Sequence, residues 1–207
     1  MKRRKYELPI YAKLEHIKID LEKLKTSLKM IEHLYIDVRK ANPALCDNHM
    51  ELSDSVYDNF SQINLTTIKG PPLPYTENIK ERIKRKEERL YNHPTEHFKD
   101  TYFEEILKQF KCPQMRVRIT KLAPHTNIPF HIDYDPTYAT RIVIPIHTNE
   151  LVINQFKVRN EIVAANLCAG NAYFLNTGFS HAVFNNSDEH RVAFMFSLDG
   201  QEDIKSI

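Results

Sequence analysis

The chain has 207 residues, 42% of them hydrophobic, enough for one sizeable core or a core with a helical annex. Its formal charge of +2 is too small to argue for nucleic acid as a partner, and no apolar run reaches the ~18–20 residues of a membrane-spanning helix. The opening MKRRKYELPIYAKLEH is basic but lacks the apolar stretch of a secretory signal, and Cys46, Cys112 and Cys168 are scattered and odd in number, so the expectation is reduced thiols in a cytoplasmic protein.

From the N-terminus, Ile10, Leu14, Ile17, Leu21, Leu24, Leu28, Ile31, Tyr35 and Val38 step by four and three without a break, an a/d heptad pattern. Pro9 suits a first helical turn and Asn42-Pro43 would end the helix. The spacing therefore predicts one helix over residues 9–41, roughly 50 Å long at 1.5 Å per residue. Its stripe either packs along its own domain or forms a homodimeric coiled coil between chains. Residues 43–75 read as irregular, with GPPLPY as a rigid turn. A second helix is expected over about 77–91, with Thr76 as N-cap. Its KERIKRKEERL run interleaves glutamates with basic residues and reads as a solvated face. FKDTYFEEILKQFK, about 98–111, reads as a third, amphipathic helix.

After Cys112-Pro113 the character changes. MRVRITKL, TRIVIPIH, ELVINQFKV, NEIVAANL, AYFLN, HAVFN and HRVAFMFSL are short, β-branched and aromatic, with turn residues between them. That pattern predicts a sandwich or barrel, and helices followed by strands predict an α+β architecture: a helical region over 1–111 and a β domain over 112–207. Alternation gives each strand two faces. Val117 and Ile119, Ile142, Ile144 and Ile146, and Val192, Phe194, Phe196 and Leu198 form apolar faces. The opposite faces gather Arg116, Arg118 and Thr120, Arg141, and Arg191 and Ser197. A barrel lined with such groups suits a small anion.

The chemistry centres on PFHIDYDPTYATR, residues 129–141. In extended backbone, His131 and Asp133 project to the same side, about 6–7 Å apart. Two imidazoles and one carboxylate leave three positions of an octahedral metal open, the arrangement of non-haem Fe(II) oxygenases. His181, at the start of a strand, is the candidate third ligand. Arg191 follows it by ten residues, as Arg141 follows His131. A buried arginine suits a carboxylate because its planar fork makes paired bonds and keeps its proton. The bland alternatives are a turn holding His-x-Asp, an edge histidine and a surface ion pair. His125, His147 and His190 fit the constellation less well, and metalloprotease, P-loop and nucleophile-elbow motifs are absent.

The stretches RVRITKLAPHTNIPFHIDYD, RIVIPIHTNE and GNAYFLNTGFSHAVFNNSDEHRVAFMFSLD, spanning about 112–199, resemble the aspartyl/asparaginyl β-hydroxylase family, its proline cis-hydroxylase-like branch in particular. The resemblance implies helices packed on a double-stranded β-helix, a jelly-roll or cupin-like barrel. It implies Fe(II) held by His131, Asp133 and His181, with 2-oxoglutarate and O2 as cosubstrates. Arg191 would take the far carboxylate of 2-oxoglutarate, assisted by Thr120, and Arg141 would lie near its other end. The activity implied is hydroxylation of an amino-acid side chain, in a free amino acid such as proline or in a peptide, with succinate and CO2 as co-products. The chain departs from the family in having Val143 where a histidine is usual. Asp133 supplies a carboxylate that the animal aspartyl hydroxylases lack. Loops 134–140 and 176–180 are candidate lids. Two other readings remain open: an oligomeric scaffold with an inactive β-helix, and a cupin-like protein binding another metal.

Overall fold

The computed structural model describes residues 2–38, 59–71 and 78–207. Two antiparallel sheets face each other. The larger is built from β1 (Tyr11–Lys13), β2 (Ile36–Asp37), β3 (Phe60–Asn64), β6 (Gln114–Leu122), β8 (Thr140–His147), β11 (Tyr173–Leu175) and β13 (Arg191–Leu198). Its spatial order is β1-β11-β8-β13-β6-β3-β2. The smaller contains β7 (Thr126–His131), β9 (Val152–Val158), β10 (Glu161–Ala165) and β12 (Ser180–Asn185), in the order β10-β9-β12-β7. A short ribbon pairs β4 (Thr66–Thr67) with β5 (His93–Pro94). The strand order alternates between the sheets along the chain, which makes the double-stranded β-helix. With the helices outside it the fold is α+β.

The two faces of the large sheet separate as their alternation predicts. Val117, Ile119, Ile142, Ile144, Ile146, Val192, Phe194, Phe196 and Leu198 are buried under the helices. Helix α1 (Leu21–Ile31) covers this face with Leu24, Leu28 and Ile31, and α4 (Tyr102–Leu107) does so with Phe103, Ile106 and Leu107. Phe103 meets Phe194 at a ring-centroid distance of 5.1 Å, and Phe110 meets Phe196 at 5.0 Å. The inner face, between the sheets, buries Val143, Phe156, Leu175 and Ala193 around the polar chamber.

The N-terminal heptad pattern does not make one long helix. Tyr11–Lys13 is extended and pairs with Tyr173–Leu175, while Leu14 and Ile17 are buried in the turn that follows. The helix starts only at Asp20, whose side chain accepts from the amides of Glu22 and Lys23, both at 3.1 Å. Its stripe lies on the chain's own sheet. Asn42-Pro43 and Cys46 lie outside the described residues. The stretch read as irregular supplies β3 and β4, and β3 joins β6 with Gln62 opposite Thr120.

The second helix is shorter than its pattern and broken. Asn78 caps α2 (Ile79–Lys84), and Lys86 in the left-handed region (φ 55°) separates it from α3 (Glu87–Leu90). Thr76 is outside the described residues. The third helix covers only Tyr102–Leu107 of its amphipathic stretch.

Candidate metal centre

The chamber between the sheets brings the three expected ligands together. His131 ends β7 and stands directly opposite His181 of β12, their ring centroids 4.2 Å apart. The pairing is out of step between His181 and Val183: three residues of β7 span what two residues of β12 cover. Such a bulge re-aims side chains, and Pro129, which has no amide hydrogen to give the ladder, occupies it on an edge strand. Asp133 follows, anchored by its N–H donating to the Thr177 carbonyl at 3.0 Å. One ligand atom from each of His131, Asp133 and His181 lies within 4.8 Å of the others.

Both imidazoles are held in one orientation by backbone carbonyls. Nδ1 of His131 lies 2.8 Å from the Pro129 carbonyl, and Nδ1 of His181 lies 3.0 Å from that of Phe179. A carbonyl only accepts, so each Nδ1 carries the hydrogen and each Nε2 presents a lone pair. Burial pushes the His181 imidazole down to about 4, against the pull of the Asp133 carboxylate, so it is neutral at physiological pH. For Asp133, burial opposes ionisation, but the neighbouring guanidinium groups, Arg141 first and Arg118 behind it, hold its carboxyl well below the usual range. The donor set is two imidazole nitrogens and one carboxylate oxygen. It suits Fe(II), and equally other divalent ions that accept nitrogen and oxygen.

The arginines lie at both ends of the inner face. Arg141 Nη2 donates to Asp133 Oδ2 at 3.1 Å, while its Nε and Nη1 are buried with no hydrogen-bond partner among the described residues. Ser197, opposite Arg141 across the β8–β13 pair, is six residues from Arg191 along β13, a backbone span of about 20 Å. Arg191 is buried, donates to Thr120 Oγ1 at 3.1 Å, and meets no carboxylate at ion-pair distance among the described residues. Burial alone pushes it down to about 10. A buried cation with one neutral partner fits an incoming carboxylate. The polar residues singled out in the sequence lie on the inner face, Arg191 with Thr120 at one end and Arg141 beside the triad at the other. Val143 is fully buried between the sheets, so its position offers no polar group there.

His125 pairs with Asp188 at 2.8 Å on an exposed loop, away from the triad. The two candidate lid loops meet at the N-terminal segment. The Lys5 amide is 3.4 Å from Asp135 Oδ2, and its Nζ donates to the Gly178 carbonyl at 2.8 Å. A Cβ at Gly178 would sit 3.2 Å from the Asp135 Cα, so glycine permits this close approach.

Glu88 was not expected in the chamber. The run read as a solvated helix face sends this carboxylate inward, where it is fully buried. It accepts from Ser197 Oγ at 2.8 Å and Arg116 Nη1 at 3.0 Å, and lies 3.5 Å from Arg141 Nη2. Burial raises its pKa, but Arg116, Arg141 and Arg118 outweigh that and bring it down to about 2. The available signal was charge balance: Arg116, Arg118 and Arg141 on inward faces require buried counter-charge, more than Asp133 alone supplies.

The family model for aspartyl/asparaginyl β-hydroxylase matches residues 83–199. No curated protein matches the chain. Solved structures similar to it include a 2OG-Fe(II) oxygenase-family oxidoreductase from Burkholderia pseudomallei, at 12% identity and a TM-score of 0.42 over 68% of this chain and 67% of that one. A cupin domain from Bordetella pertussis Tohama I matches at 20% identity and a TM-score of 0.34, over 44% of this chain and 88% of that one. Hazelnut (Corylus avellana) vicilin matches at 13% identity and a TM-score of 0.36, over 47% of this chain and 27% of that one.

Proposed function

The chain belongs to the aspartyl/asparaginyl β-hydroxylase family of 2-oxoglutarate-dependent hydroxylases, and on that premise we propose that it hydroxylates an amino-acid side chain, free or within a peptide, with Fe(II) held by His131, Asp133 and His181. The observation that carries this reading is the convergence of the three ligand atoms within 4.8 Å, with both histidines turned to offer Nε2. When bound there, Fe(II) and 2-oxoglutarate supply the oxidising chemistry: dioxygen is consumed, a C–H bond becomes C–OH, and 2-oxoglutarate leaves as succinate and CO2.

The chain's own residues bind, orient and shield. Arg191, with Thr120 beside it, receives the far carboxylate of 2-oxoglutarate. Arg141 orients Asp133 through Nη2 and keeps Nε and Nη1 for an anion at the triad end. Val143, Phe156 and Ala193 keep the intervening surface apolar and exclude water. Asp133 contributes the anionic ligand. Its presence supports a place nearer the proline cis-hydroxylase-like members than the animal aspartyl hydroxylases, with a small free amino acid such as proline as the first substrate to try. The test is turnover of 2-oxoglutarate to succinate with Fe(II) and a panel of free amino acids and short peptides, followed by mass spectrometry for a gain of one oxygen. Folded protein that forms no succinate under any of these conditions would remove the reading.

A further inference from the structure

We propose that Glu88, carried into the chamber by the helical strap of α2 and α3, is a positioning residue of the metal centre that acts through Arg141 on Asp133; this rests on the reading of the site just given. The left-handed residue Lys86 turns the chain between the two helices, and Glu88 enters the chamber in the turn after it. The strap is fixed from outside by Arg89, whose Nε and Nη2 each donate to Asp199 at 2.7 Å, and by the Arg116 amide donating to the Tyr91 carbonyl at 2.7 Å. Arg82 and Arg89 stack over Tyr134 and Tyr138, at 5.3 and 4.7 Å, in the loop that follows Asp133.

Inside, the contacts form a chain. Arg141 Nη2 lies between two carboxylates, 3.1 Å from Asp133 and 3.5 Å from Glu88. Glu88 thus draws on the same guanidinium nitrogen that holds the metal-facing carboxylate. Arg118, on the same face, is pushed well down by burial and then by its neighbours Arg141 and Arg116, as expected where cations outnumber carboxylates. Neutralising Glu88 would have two consequences of one sign. Arg141 would pair more fully with Asp133, making it a poorer ligand, and the chamber would become one charge more positive. Both disfavour a divalent cation, and the added positive charge favours a dianion. A merely structural glutamate would, on removal, loosen the chamber and weaken both ligands together.

The test uses Glu88→Gln, which keeps the side chain's size, and measures two affinities by calorimetry: Mn(II) for the metal-free protein, and 2-oxoglutarate for the metal-free protein. The expected result is an Mn(II) Kd raised about ten-fold, in the range that partners of metal ligands typically command, with 2-oxoglutarate bound more tightly than by the wild type. An unchanged pair of constants, or a weakening of both, overturns the inference. Arg116→Gln is measured alongside, because it removes a cation instead and predicts the opposite signs: Mn(II) bound as tightly or more so, and 2-oxoglutarate more weakly. If Glu88→Gln does not fold, Arg116→Gln decides alone, and weakening of both ligands in that variant overturns the proposal. A wild type that binds no Mn(II) overturns the reading of the site together with this inference, whereas a wild type that binds it beside an unshifted Glu88→Gln overturns this inference only.

Discussion

Asp133 distinguishes a turn tripeptide from an arm of a metal site. An exposed turn aspartate is worth little when removed. Here the side chain is 32% exposed, hydrogen-bonded to Arg141, and within ligand distance of two histidines. Asp133→Ala should leave the metal-free protein folded by circular dichroism while lowering metal affinity and reducing hydroxylation by orders of magnitude. His131→Ala should match it, and the double variant should lose hardly more than either single one, because groups acting as a unit are not additive. Metal-dependent turnover at wild-type rate in Asp133→Ala would return the tripeptide to the bland reading. Arg191 carries a separate prediction. Its guanidinium is buried beside a single hydroxyl partner, so Arg191→Ala should raise the KM for 2-oxoglutarate by roughly 30- to several-thousand-fold, about 2–5 kcal/mol, with metal affinity little changed. Arg191→Lys should recover part of this, since a point charge does not reproduce the fork. An unchanged KM in Arg191→Ala would remove it from the cosubstrate site.

Elements were legible where a periodic pattern and its local stop signals agreed. TRIVIPIH spans the same residues as β8, and the alternation in β6 and β13 correctly separated the face under the helices from the face holding the arginines. The N-terminal pattern misled because steps of three and four mark positions that are buried, and an extended segment followed by a turn can bury Leu14 and Ile17 as well as a helix can. The informative local signal was Asp20, an N-cap in the middle of the stripe. Glu88 was missed for a related reason: charge interleaving describes an isolated helix, whereas a break at Lys86 and a cationic sheet face are tertiary facts. Since Leu24 is fully buried against the chain's own core, Leu24→Ala should lower unfolding free energy by about 2–5 kcal/mol. The wild type should sediment as a monomer at high micromolar concentration. A dimer dissociated by Leu24→Ala would place the stripe between chains instead.

At the scale of the molecule, the strap, the sheet and the site are joined by buried charge, and acid should expose that junction. Glu88 titrates at about 2 in the folded chain against 4.5 ordinarily. A carboxylate with a depressed folded pKa contributes stability that is full above its unfolded value and is lost as pH falls toward the folded one. Denaturant unfolding of the metal-free protein should therefore lose roughly 3 kcal/mol through this group between pH 4.5 and 2, and Glu88→Gln should flatten that part of the profile. Equal slopes in the two proteins would show that Glu88 is not held ionised by its arginines. The central claim is that the two histidines, Asp133 and the inward arginines make one centre that binds Fe(II) and 2-oxoglutarate together. The most direct measurement is anaerobic addition of Fe(II) and then 2-oxoglutarate to the folded protein, followed in visible absorption. A weak charge-transfer band should appear only when both are present, be missing in Asp133→Ala, require far more 2-oxoglutarate in Arg191→Ala, and decay with succinate formation when oxygen is admitted. Folded wild-type protein that gives no band and no succinate would contradict the account.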